Sequence, residues 1–124
     1  MKKQRPVNLD LTTIKMHSAA HASILHRISG VVMVFAIGIL LWALSLSLSS
    51  PEGFTQIKSL LDGVFFKLII IGIVSAILYH LLGGIRHLLM DMGHFEEKVS
   101  GIMSAKLIIA LWIVLTIVLG VALW

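Results

Sequence analysis

The chain has no cysteine and only two prolines among its 124 residues. The absence of cysteine excludes disulfides, an iron–sulfur cluster of its own and a cysteine-rich zinc site. Charge is also scarce. Asp, Glu, Lys and Arg make up 13% of the chain against 58% hydrophobic residues, and the mean hydropathy is +1.01. An ordinary soluble domain does not have this balance.

The few charges are clustered, which leaves three long stretches without Asp, Glu, Lys or Arg: Ile28 to Leu48, Leu68 to Ile85 and Leu107 to Trp124. Each approaches the roughly 20 residues that a helix needs to cross the hydrocarbon of a bilayer. Inside lipid every backbone N–H and C=O must be paired within its own segment, so the stretches are expected to be helices. The fold class is therefore all-α integral membrane, with three transmembrane helices forming part of a heteromeric bundle. We place a cytoplasmic N-terminal segment at 1–20 and a transmembrane domain at 21–124, with spans at about 22–48, 63–92 and 104–124. Between the first two spans, Ser50 reads as an N-cap with Pro51 at the first helical position. Phe54, Ile57 and Leu61 then recur at helical spacing, which predicts a short interfacial helix. Ser104 reads as the cap of the third span.

The net charge of +4 does not require nucleic acid. Lys2, Lys3, Arg5, Lys15 and Arg27 precede the first span, and Arg86, Lys98 and Lys106 flank the second loop. Only Lys58 and Lys67 lie near the first loop. The positive-inside bias therefore puts the N-terminus in the cytoplasm and the C-terminus in the periplasm. No apolar core of a signal peptide precedes the first span and no transit-like segment is evident, so the expected location is a bacterial inner membrane.

Two groups of residues carry chemistry. His80 lies deep in an apolar span, where an imidazole needs a haem iron, another side chain or a polar cavity as partner. His80, Gly84, His87 and Asp91 fall within a helical arc of roughly 60°, and a glycine one turn from a ligating histidine suits a flat macrocycle close to the backbone. A histidine hydrogen-bonded to a neighbouring helix, with no iron, fits the same spacing. In the second group, Ser23, His26, Arg27 and Gly30 occupy an arc of roughly 100° at the start of the first span. Arg27 and Ser23 are donors suited to a quinone headgroup at the membrane edge, although an arginine reaching for the interface looks the same in sequence. His17 and His21 read as solvated surface residues, His94 and the Glu96–Glu97 pair as loop. Tyr79, roughly 100° from His80, is expected to face a different neighbour.

On these residues the chain resembles the cytochrome b subunit of succinate dehydrogenase, one of that enzyme's two small membrane anchors. One motif is Arg5-Pro6-Val7 followed by Ser23-Ile24-Leu25-His26-Arg27-Ile28-Ser29-Gly30. The other runs from His80 through Gly83-Gly84-Ile85-Arg86-His87 to Asp91-Met92-Gly93. The resemblance implies that His80 is one axial ligand of a haem b shared with the second anchor subunit. It also implies that Ser23 and Arg27 line a ubiquinone site, that His26, Arg27 and His87 lie near the haem or its propionates, and that Asp91 belongs to a proton path. The implied partners are that second anchor, an iron–sulfur subunit and a flavoprotein carrying FAD, with succinate oxidised there and not in this chain. Two further readings stay open: a haem-free structural anchor, and the anchor of a fumarate reductase.

Overall fold

The computed structural model describes Val7, Leu9, Asp10 and residues 12–124. Lys2, Lys3, Arg5 and Pro6 lie outside the described residues. Four helices follow in order: α1 (Ser18–Ser49), α2 (Pro51–Asp62), α3 (Val64–Asp91) and α4 (Lys98–Leu123). α1, α3 and α4 are long and apolar enough to cross a membrane, and the chain is a multi-pass, all-helical membrane protein.

The connection between the first two spans follows the local chemistry. The Ser50 side chain accepts a hydrogen bond from the Gly53 backbone N–H, and Pro51 occupies the first turn of α2. A proline there sacrifices no hydrogen bond, because the first-turn N–H groups have no partner within the helix. α2 folds back tightly on the end of α1, where a Cβ at Gly53 would run into the Leu46 carbonyl oxygen. The α3–α4 connection is a helix stop of the left-handed type. Gly93 has φ 87° and Phe95 φ 61°. The N–H groups of Gly93 and His94 return to the carbonyls of Met90 and Leu89, which uses carbonyls that α3 leaves open.

Two expected boundaries move. α1 begins at Ser18 rather than near residue 21, because the His17 carbonyl already accepts from the N–H groups of Ala20 and His21. α4 begins at Lys98, six residues before Ser104. The Glu97 carbonyl accepts from Gly101 N and Ser100 Oγ, so the chain is helical before the apolar run starts. Ser104 is thus a buried residue inside α4 and not its cap.

The packed interior is small. Its buried apolar side chains are Ala22, Ala36, Ile73, Tyr79 and Ala105, whereas Phe35 is 70% and Leu48 77% exposed. In water such a surface would collapse, but in hydrocarbon it is the solvated state. Close packing and polar contacts between helices then hold the bundle, without a hydrophobic drive. Ser75 Oγ lies 3.2 Å from Thr116 Oγ1, and Trp112 Nε1 donates to both the carbonyl and the hydroxyl of Ser75 at 3.0 Å. These contacts join α3 to α4 in mid-membrane. At one end, Lys67 Nζ donates to the Trp124 carbonyl at 3.0 Å. Ahead of α1, Asp10 accepts from the hydroxyl and the N–H of Thr12, bonds that hold its carboxyl below the ordinary carboxylate range.

Candidate functional site

The site lies where the N-terminal half of α1 meets the C-terminal half of α3. Tyr79, 2% exposed, donates from its phenol to the Ala22 carbonyl at 2.8 Å. It packs edge-on against Trp112 of α4. Tyr79 thereby fixes the height of α3 against α1 and, as its angular position predicts, has partners other than those of His80, the Ala22 carbonyl and Trp112.

His80 is half-buried against one turn of α1. Its Nδ1 lies 3.2 Å from the His26 carbonyl oxygen and 3.1 Å from Ser29 Oγ. A carbonyl only accepts, so Nδ1 carries the proton. The Ser29 hydroxyl gives its own proton to the same carbonyl at 2.8 Å and is left as a second acceptor. In the neutral ring Nε2 is then the unprotonated nitrogen, and it has no hydrogen bond among the described residues. Gly30 makes this seat possible: a Cβ there would stand 3.2 Å from His80 Cε1.

His26 completes a histidine cluster. Its ring stacks on His80 at 4.0 Å with planes 14° apart, and meets the edge of His87 at 5.0 Å. Gly83 and Gly84 give it room. A Cβ on Gly83 would come within 2.8 Å of His26 Cδ2, and one on Gly84 within 3.6 Å of Nε2. Among the described residues, His26 Nε2 is the buried side-chain nitrogen or oxygen without a hydrogen-bond partner. Such an atom costs about 1–3 kcal/mol when left unsatisfied, so it points to a partner that this chain does not itself supply. No three His, Asp or Glu side chains among the described residues converge to hold a metal ion. Any ion bound by His80 would need further ligands from elsewhere.

The other expected site residues are less enclosed. Ser23 is half-buried and Arg27 exposed, one turn apart on α1, and neither has a hydrogen-bond or ion-pair partner among the described residues. Asp91 is exposed at the end of α3. His17 and His21 are exposed as expected. The structure therefore brings His26, His80, His87 and Gly84 together, and leaves Ser23, Arg27 and Asp91 open to their surroundings.

Residues 1–119 match the family of succinate dehydrogenase/fumarate reductase transmembrane subunits. The chain belongs to this family. The succinate dehydrogenase cytochrome b556 subunit of Coxiella burnetii is 37% identical over 125 residues, covering 100% of both chains. The protein of that name from Rickettsia conorii is 35% identical over 122 residues, covering 98% of this chain and 91% of its own. The one from Paracoccus denitrificans is 32% identical over 113 residues, covering 91% and 87%. As a member of this family the chain is a membrane subunit of a larger assembly and not a complete enzyme.

Two residues of this transmembrane subunit have roles that sequence reasoning missed. Ser29 was visible only as part of a motif, yet its hydroxyl touches His80. Arg86, counted with the loop charges, lies inside α3 and is 5% exposed. Its Nε donates to Ser104 Oγ and one terminal nitrogen to the Gly101 carbonyl, both at 3.0 Å. The signal was present in the spacing. Tyr79, Gly83 and Arg86 form one helical stripe, and all three are buried.

Proposed function

We propose that this chain is one of two membrane anchors of a succinate:quinone oxidoreductase, that His80 binds the iron of a b-type haem through Nε2, and that Ser23 and Arg27 hold the quinone headgroup. The observation that carries the haem reading is the seat of His80. With Nδ1–H held by a carbonyl and a hydroxyl, the free electron pair is on Nε2. This is the usual arrangement of a ligating imidazole, whose second nitrogen is fixed by a backbone or side-chain acceptor. The group fits the residues present. A metal meets an imidazole at its edge, so the stacking of His26 on the ring face does not obstruct it. The buried Nε2 of His26 and the two glycines beside it mark a polar, backbone-close environment. The names of the relatives, which call them cytochrome b556 subunits of succinate dehydrogenase, support both the cofactor and the direction of the reaction.

In this reading His80 would hold the haem together with a ligand from the second anchor, and the group would supply one-electron transfer. His26, Arg27 and His87 would lie near the haem or its propionates. Ser23 and Arg27 orient ubiquinone by hydrogen bonds that strengthen as charge builds on its oxygens during reduction. Asp91, exposed at the end of α3, relays protons from the cytoplasmic side. Succinate is oxidised in a flavoprotein subunit with FAD, and an iron–sulfur subunit passes the electrons to the quinone. The assembly sits in a bacterial inner membrane with the N-terminus of this chain in the cytoplasm, as the distribution of Lys and Arg supports.

The test is the visible spectrum of the purified complex. The wild-type complex shows a b-type spectrum, and His80→Ala removes or shifts it. An unchanged spectrum in the variant rules out His80 as ligand. A wild-type complex that absorbs only as flavin and iron–sulfur leaves a haem-free anchor.

A further inference from the structure

Ser29 is 6% exposed, in a helix most of whose side chains face lipid. A buried hydroxyl needs a partner, and the nearest is in its own helix, the His26 carbonyl at 2.8 Å. That bond consumes the hydroxyl proton and fixes the rotamer. It leaves the oxygen lone pairs directed at His80 Nδ1, 3.1 Å away. The carbonyl that receives the hydroxyl proton is itself 3.2 Å from the same nitrogen. Two oxygens on one turn of α1 and one nitrogen of α3 thus form a closed set: a hydroxyl donating to a carbonyl, and both oxygens accepting from one imidazole N–H.

We infer that Ser29 is a positioning residue for His80: its hydroxyl, locked by the His26 carbonyl, holds the imidazole with Nδ1 protonated and Nε2 free. The inference rests on the proposal that Nε2 meets a haem iron. It goes beyond it in naming the side chain that joins the His26 carbonyl in holding that nitrogen and tunes the ring's strength as a ligand. An N–H that gives part of its proton to two oxygens leaves the ring more electron-rich at the opposite nitrogen. That favours the ferric state and lowers the reduction potential of the haem. Ser29 touches neither iron nor quinone in this scheme. It acts only through the ring.

An isosteric pair of variants tests this. Thr keeps a hydroxyl that can bond the carbonyl three residues back, and Val has the same shape without it. The additional methyl has space, because Ser29 lines an open cleft of about 190 Å³ together with Val32, Gly72 and Tyr79. The readouts are haem content and haem reduction potential of the intact purified complex, with Ser29→Ala as a third variant that adds no bulk. The expected result is a potential at the wild-type value in Ser29→Thr and shifted upward in both Ser29→Val and Ser29→Ala, each complex retaining its haem. Equal potentials in Thr, Val and Ala variants, or a downward shift on loss of the hydroxyl, overturn the inference. Neither outcome touches His80 as ligand, which the spectrum of His80→Ala decides separately.

Discussion

The two seams of this small bundle differ in how completely they are finished. Between α3 and α4 the polar contacts close on themselves. Arg86 is held by Ser104 and Gly101, and Trp112 and Thr116 by Ser75. Where α1 meets α3, and on the adjoining turns of α1, they do not. His26 Nε2 is buried without a partner, and Ser23 and Arg27 have none among the described residues. Leaving polar groups unpaired is costly in a protein interior and more so in hydrocarbon. The contrast is what the proposed function expects, with one seam as internal structure and the other as a surface completed by something outside the chain. Loss of a side chain should therefore cost stability at the first and function at the second.

The largest effect belongs to the open side. Arg27 has no hydrogen-bond or ion-pair partner among the described residues, so Arg27→Ala should leave assembly of the complex intact. If its guanidinium stabilises charge on quinone oxygens, quinone reduction should fall on the order of 10²-fold, the usual consequence of removing one such donor. Succinate oxidation with a soluble dye as acceptor should survive. Equal loss of both activities would remove the quinone role and make the division between the seams one of degree.

The closed seam should respond the other way. Arg86 carries a buried charge with no carboxylate partner among the described residues and donates to one hydroxyl and one carbonyl. Hydrogen bonds to a charged group contribute about 1.5–3 kcal/mol, part of which offsets the cost of keeping the charge out of water. Arg86→Ala should lower the thermal stability of the purified complex by about 2 kcal/mol. Quinone reduction per assembled complex should stay near wild type. A normal melting profile combined with lost activity would place Arg86 with the functional residues instead.

Much of this architecture can be read from residue order alone. Three charge-free runs define the spans, and Ser50-Pro51 marks the stop and restart that become α2. The spacing of His80, Gly84 and His87 locates one wall of the site. The end of α4 nearest the loop was not legible for a physical reason. Lys98 to Met103 is polar enough to read as loop, but the Glu97 carbonyl and the Arg86 guanidinium supply the contacts that make it helical. The same holds for Ser29. A single hydroxyl among apolar residues carries no periodic signal, and its meaning appears only when α3 brings His80 within 3.1 Å. Spacing along one helix says which side chains share a face. It does not say which face the next helix meets.

The smallest effect should come from the middle of the closed seam. Trp112→Phe keeps an aromatic ring beside Tyr79 and removes the N–H that Ser75 accepts, together with one ring of the indole. Ser75 still has Thr116 at 3.2 Å, so little is left unsatisfied. Interhelical hydrogen bonds in membrane proteins contribute about 0.6 kcal/mol on average, because helices in the unfolded bilayer state also find polar partners. A loss of that order in the thermal stability of the complex, with unchanged haem spectrum and quinone reduction, is expected. A change in the spectrum would show that the α3–α4 seam communicates with His80 through Tyr79, which touches both Trp112 and the Ala22 carbonyl of α1. The two seams would then be one coupled unit.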